Sequence, residues 1–166
     1  MNQNNGLISD LPIRPYAVGE NIVVEGQGST GELFVLVSGA VEVVKGGNTL
    51  ITTLTKSGSF IGEMSLLLGT PYTATVRAIE PTTCHVIEKG EAYLRDNSEV
   101  GLAVARMLAE RLHSATAYLA DIKRQYAGSA ASLAAVDQVL DTLVHHQQSD
   151  DLEPGSERAF DPNEAT

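Results

Sequence analysis

The chain has 166 residues, with 21 acidic side chains against 11 Lys and Arg and a formal net charge of −10. That balance argues against nucleic acid and against an anionic membrane surface as partners, because each needs a basic face. The hydrophobic share of 43% and charged share of 19% fit one ordinary globular domain with a short appendage.

At the start of the chain, residues 1–11 form a short N-terminal segment. Met1 to Gly6 carry neither a basic start nor an apolar stretch, so no secretory signal is expected there. No apolar run approaches the roughly 18 residues of a membrane span. Cys84 is the single cysteine, which excludes an intramolecular disulfide and a cysteine-based zinc cage. A reducing, cytoplasmic setting is the expectation.

Glycine punctuates the first half: eleven of the fifteen glycines lie between Gly19 and Gly90. Short runs rich in β-branched residues lie between them. These are Ile22–Glu25, Phe34–Val37, Val41–Val44, Leu50–Leu54, Thr73–Ala78 and Thr82–Ile87. Strands of this length at about ten-residue spacing predict an all-β sandwich or jelly roll. One interruption, Met64–Leu68, reads as a helical turn ended by Gly69 and Pro71.

From Val100 the period changes. Val100, Val104, Leu108, Leu112, Ala115, Leu119, Ile122 and Tyr126 recur at steps of three and four, marking one face of a long helix. Gly128-Ser129 breaks it. A second amphipathic stretch, over 129–148, carries Leu133, Val136, Leu140 and Leu143 as a short seam. These helices either pack on the β domain or form a homodimer interface. The last segment, 149–166, holds six acids and one base; it has too little apolar surface to offset chain entropy and reads as a disordered acidic tail.

Nothing in this pattern supports catalysis or a metal site. Ser65 lacks a nucleophile elbow around it. Cys84 and His85 are neighbours in a predicted strand, so they point to opposite faces and cannot pair. None of His85, His113, His145 and His146 stands four residues from another. The expectation is a protein with no catalytic residues, no metal and no cofactor.

One segment stands out, Gly58 to Ala78, which reads as strand, glycine turn, short helix, proline turn and strand. Gly62 permits close backbone approach at the helix start. The N–H groups of Met64 and Ser65 there could face an anion, and the Glu63 carboxylate could accept from a sugar hydroxyl. An ordinary helix cap is the plainer reading of the same residues.

This segment resembles the phosphate-binding cassette of cyclic-nucleotide-binding domains, the family of the bacterial catabolite activators and the regulatory subunits of cyclic-AMP-dependent kinase. Residues Pro15 to Gly26 resemble the opening hairpin of that family, Phe34 to Val44 its next hairpin, and Leu102 to Gln125 its closing helices. The resemblance covers 12–126. It implies a β jelly roll (β-roll) with N-terminal and C-terminal α-helices, holding cyclic AMP or cyclic GMP. It implies that Gly62 and Ser65 meet the cyclic phosphate through backbone contacts, that Glu63 holds the ribose 2′-hydroxyl, and that Thr73 reaches phosphate or base; Met64 and Tyr72 complete the candidate ligand-binding set.

At one position the chain departs from the family. The arginine that follows the proline of the cassette is here Tyr72. Arginine brings a permanent charge and a bidentate fork to phosphate, whereas tyrosine brings one neutral donor. The exchange should cost about 2–4 kcal/mol, or about 30- to 1000-fold in affinity. In a regular strand Arg77 would face away from Tyr72 and could not stand in. The expected protein is a stand-alone regulatory or sensor domain with weakened nucleotide binding. The alternative is a nucleotide-free domain acting through an unknown protein partner or as a homodimer.

Overall fold

A computed structural model describes residues 8–125 and 136–142. The expectations for residues 1–7, the Gly128-Ser129 break, Tyr126, Leu133, Leu143, His145, His146 and the acidic tail lie outside the described residues.

The run Leu33-Phe34-Val35-Leu36 is buried at every position, which an alternating half-buried strand cannot be. Two separate apolar clusters account for it. Phe34 and Leu36 join Tyr16, Val23, Val41, Ile61, Tyr72, Val76, Ala78, Cys84 and Val86 in one cluster. Leu33 and Val35 turn the other way, to Ile8, Phe60, Ile87, Val100 and Val104. Successive side chains on a strand alternate faces, so this strand serves both clusters at once.

Eight strands are found among the described residues. They are β1 (Ile13–Tyr16), β2 (Asn21–Val23), β3 (Leu33–Ser38), β4 (Val41–Lys45), β5 (Thr49–Leu54), β6 (Phe60–Ile61), β7 (Thr75–Ala78) and β8 (Thr82–Ile87). They form two antiparallel four-stranded sheets, in the orders β1-β8-β3-β6 and β2-β7-β4-β5. Two such sheets facing each other make the expected jelly roll. The cluster around Phe34 and Tyr72 takes side chains from both sheets, so it is the interior of the roll.

The β3–β4 hairpin shows how tightly the turns are specified. Gly39 has φ 93°, and a Cβ there would lie 2.5 Å from the Pro81 carbonyl oxygen and from Thr82 Oγ1. Only glycine meets both demands. On β8, Cys84 faces the interior, while His85 Nδ1 lies 3.1 Å from the Leu11 carbonyl oxygen. The two side chains diverge as strand alternation requires. Burial pushes the Cys84 thiol up to about 11.

Among the described residues the sheets are accompanied by α1 (Glu63–Leu68), α2 (Gly90–Asp96) and α3 (Ser98–Gln125). The periodicity gave no separate α2. Gly90 marks it: a Cβ there would sit 2.6 Å from Leu66 Cδ2 of α1, so the glycine serves close packing and not a turn. The chain divides into two compact units, Met1–Ala109 and Glu110–Thr166, with the boundary inside α3. In the first unit, Val100 and Val104 bury the expected helix face. In the second, Leu112 is 47% and Tyr118 67% exposed. Ion pairs Arg124–Asp121 and Lys123–Asp137 belong to this second unit, and residues 136–142 there are helical.

Candidate functional site

Helix α1 begins because Gly62 turns the chain out of β6 in a left-handed conformation, φ 89° and ψ 0°. The Leu66 N–H closes the first turn on the Gly62 carbonyl at 3.1 Å. The helix stops at Gly69, φ 62°, whose N–H donates to the Ser65 carbonyl. Glu63 stands in the first turn, where the helix dipole favours a carboxylate. It is only 4% exposed, and Ser65 is buried beside it. The Ser65 hydroxyl donates to the Pro71 carbonyl at 3.2 Å, which ties the helix to the loop after it. The Met64 side chain between them is exposed.

Tyr72 follows this loop. Its N–H donates to the Gln27 carbonyl at 2.9 Å, and its own carbonyl accepts from Gly26 N–H at 2.8 Å. These bonds continue the β2–β7 ladder backwards and aim the side chain inward. The ring is 6% exposed and packs within the roll interior. Its Cε1 lies 3.5 Å from the place a Cβ on Gly62 would take, with the Glu32 carbonyl oxygen at 3.6 Å and Phe34 Cδ2 at 4.0 Å. The tyrosine therefore fills the space beside the cassette glycine.

Strand β7 begins at Thr75, later than the expected Thr73. Tyr72 thus lies outside the strand, and the alternation argument does not decide where Arg77 points. Arg77 is committed elsewhere: its Nε donates to Glu42 Oε1 at 2.8 Å, across the β4–β7 pairing where the two residues stand opposite. Thr73 is exposed in the bend before β7. Thr75 Oγ1 accepts from the Glu25 N–H at 2.9 Å. Of the residues expected at the site, Gly62, Glu63, Ser65 and Tyr72 come together in a mostly buried group, while the Met64 and Thr73 side chains face outward.

The structure adds residues that the sequence did not single out. The Tyr72 hydroxyl lies 3.2 Å from Thr30 Oγ1. Thr30 Oγ1 donates to Glu32 Oε2 at 3.0 Å, and Arg14 Nη2 donates to Glu32 Oε1 at 2.9 Å. A threonine hydroxyl has one proton, so with Thr30 donating to Glu32 the Tyr72 hydroxyl is the donor to Thr30. The chain of bonds runs from Tyr72 through Thr30 to the Glu32 carboxylate, each bond polarising the next. The Glu32 carboxylate in turn raises the Arg14 guanidinium above its ordinary range. These partners lie 18 or more residues apart in sequence for Arg14–Glu32 and Thr30–Tyr72, so no periodicity exposes them.

The profile of the cyclic nucleotide-binding domain family matches residues 13–93. The chain is 38% identical over 79 residues to a cAMP-dependent protein kinase regulatory subunit from Mycosarcoma maydis, a match covering 45% of this chain and 15% of that protein's length. The fold is similar to that of PKAR CBD2 bound to Sp-2Cl-cAMPS, at 27% identity and a TM-score of 0.52, covering 61% of this chain and 66% of that one. It is also similar to the N-terminal domain of a transcriptional regulator from Streptomyces coelicolor A3(2), at 24% identity and a TM-score of 0.51, covering 69% of this chain and 83% of that one. With the two-sheet roll, the Gly62–Leu68 turn and helix, and the proline loop in place, residues 13–93 belong to the cyclic nucleotide-binding domain family.

Proposed function

We propose that this domain is a non-catalytic regulatory sensor that takes cyclic AMP or cyclic GMP with weakened affinity. The observation that carries the reading is the placement of Tyr72. By the sequence resemblance it takes the position of the family's phosphate arginine; its ring is buried between the sheets and lies against Gly62. It offers one neutral hydroxyl, already engaged with Thr30, in place of a fixed charge. Glu63, buried at the start of α1, supplies the carboxylate for a ribose hydroxyl. Calorimetric titration with both cyclic nucleotides up to millimolar concentration tests this. Saturable heat that disappears in Glu63→Ala supports the sensor, and no heat with either nucleotide in the wild type contradicts it.

A second reading, a nucleotide-free interaction or dimerisation module, draws on the exposed Leu112 and Tyr118 in the second compact unit. A dimer whose dissociation is indifferent to cyclic nucleotide, measured by sedimentation, favours it. Substituting Leu140→Asp together with Leu143→Asp tests whether the C-terminal seam holds such a dimer.

A further inference from the structure

With Tyr72 in the cassette the site is short of a cation, yet a guanidinium contacts two of the residues that border Gly62. Arg14 is on β1, directly opposite Cys84 of β8. Opposed residues of an antiparallel pair share a face, and Cys84 belongs to the roll interior, so Arg14 is on the inner face of its sheet. Its guanidinium lies 5.7 Å from the centroid of the Phe34 ring and donates to Glu32. Phe34 through its ring and Glu32 through its backbone carbonyl, together with Tyr72, also border Gly62. Arg14 and the cassette glycine thus flank a common pair of residues.

The position is prepared for a polar guest. Arg14 is held by a carboxylate that Thr30 and Tyr72 hold in turn, so its fork is oriented before any ligand arrives. The bond to Glu32 runs through Nη2, and a guanidinium carries five N–H donors, so an anion can be added without breaking that bond. The side chain is 46% exposed, which leaves it reachable. Two residues along the same face, the Tyr16 hydroxyl is buried with the Arg14 guanidinium as its polar neighbour. Tyr16 is 6% exposed. Arg77, by contrast, is occupied with Glu42.

We propose that Arg14 is the cation of this site, meeting the phosphate of the ligand from strand β1 in place of the arginine that the cassette lacks at Tyr72. The proposal rests on the nucleotide-sensor reading above and names the residue that gives it its residual affinity for phosphate. Arg14 is permanently charged and presents a planar fork suited to phosphate oxygens.

The test is calorimetric titration of the full chain with cyclic AMP and cyclic GMP, at low and at high salt, for the wild type, Arg14→Gln, Arg14→Lys and Glu63→Ala. The expected result is a loss of about tenfold or more in affinity for Arg14→Gln. The wild-type affinity should fall with added salt, and the Arg14→Gln affinity should respond less. Arg14→Lys, which keeps the charge and loses the fork, should lie between them. Because Arg14 sits half-exposed on an edge strand, these variants should melt close to the wild type. Affinity lost in Glu63→Ala but unchanged in Arg14→Gln overturns the role of Arg14 and leaves the sensor reading standing. A weaker Arg14→Gln with an unaltered salt response assigns Arg14 to packing and also overturns the proposal. No nucleotide binding by the wild type overturns both.

Discussion

The Tyr72 hydroxyl lies 3.2 Å from Thr30 Oγ1, 42 residues away in sequence. This contact ties a buried aromatic ring to the loop before β3. Tyr72→Phe keeps the ring in the interior cluster and deletes the hydroxyl. Thr30 Oγ1 still accepts from the Glu32 N–H, while the Thr30 N–H loses the long bond it makes to the hydroxyl. The expected loss is about 0.5–1.5 kcal/mol of stability, read from the urea midpoint. A variant as stable as the wild type would mean that the contact is not formed in solution.

Gly39 and Gly19 offer a controlled comparison. Both have positive φ, 93° and 84°, so alanine at either is strained by about 1–2 kcal/mol. A Cβ at Gly19 meets nothing within 4 Å, whereas one at Gly39 meets Pro81 and Thr82 at 2.5 Å. Gly39→Ala should therefore cost about 1–3 kcal/mol more than Gly19→Ala. Equal thermal shifts for the two variants would contradict the packing of the β3–β4 hairpin against β8.

Cys84 should respond to pH in one direction. Burial raises the folded thiol to about 11 from its ordinary 9.0, so the native state holds the proton more tightly than the unfolded chain does. Its contribution to stability is complete below about pH 9 and is lost as the pH climbs through about 11. Stability should fall more steeply over that window in the wild type than in Cys84→Ala. At pH 8 a disulfide reagent should modify Cys84 slowly in the native protein and rapidly in urea, because the thiolate is the reacting species. Rapid native modification would show that Cys84 is not enclosed.

Much of the roll was legible because each strand is short and bounded by glycine. Gly62 and Gly69 framed the Glu63–Leu68 helix so clearly that its ends coincide with left-handed residues. Other features were hidden by packing. The strand β7 starts only at Thr75 because Thr73 and Ala74 form a bend, although Tyr72 pairs again with Gly26 and Gln27 beyond it. Helix α2 was concealed because Gly90 looks like a turn residue, although its role is to let Leu66 approach. The group of Arg14, Thr30 and Glu32 left no signal, since β1 and the loop before β3 come together only when both strands pair with β8. The periodicity of α3 was visible throughout, yet Val100 and Val104 are buried while Leu112 on the same stripe is exposed. A hydrophobic period marks a helix without saying what covers its face.

On the proposed function, residues 62–72 keep the frame of a phosphate cassette and lack its charge at Tyr72. The most direct measurement is a side-by-side calorimetric titration of the wild type and Tyr72→Arg with cyclic AMP and cyclic GMP. The account predicts weak, saturable binding by the wild type and at least about tenfold tighter binding by Tyr72→Arg, a gain of about 1.4 kcal/mol. Identical affinities, or a folded Tyr72→Arg that binds neither nucleotide, would contradict it.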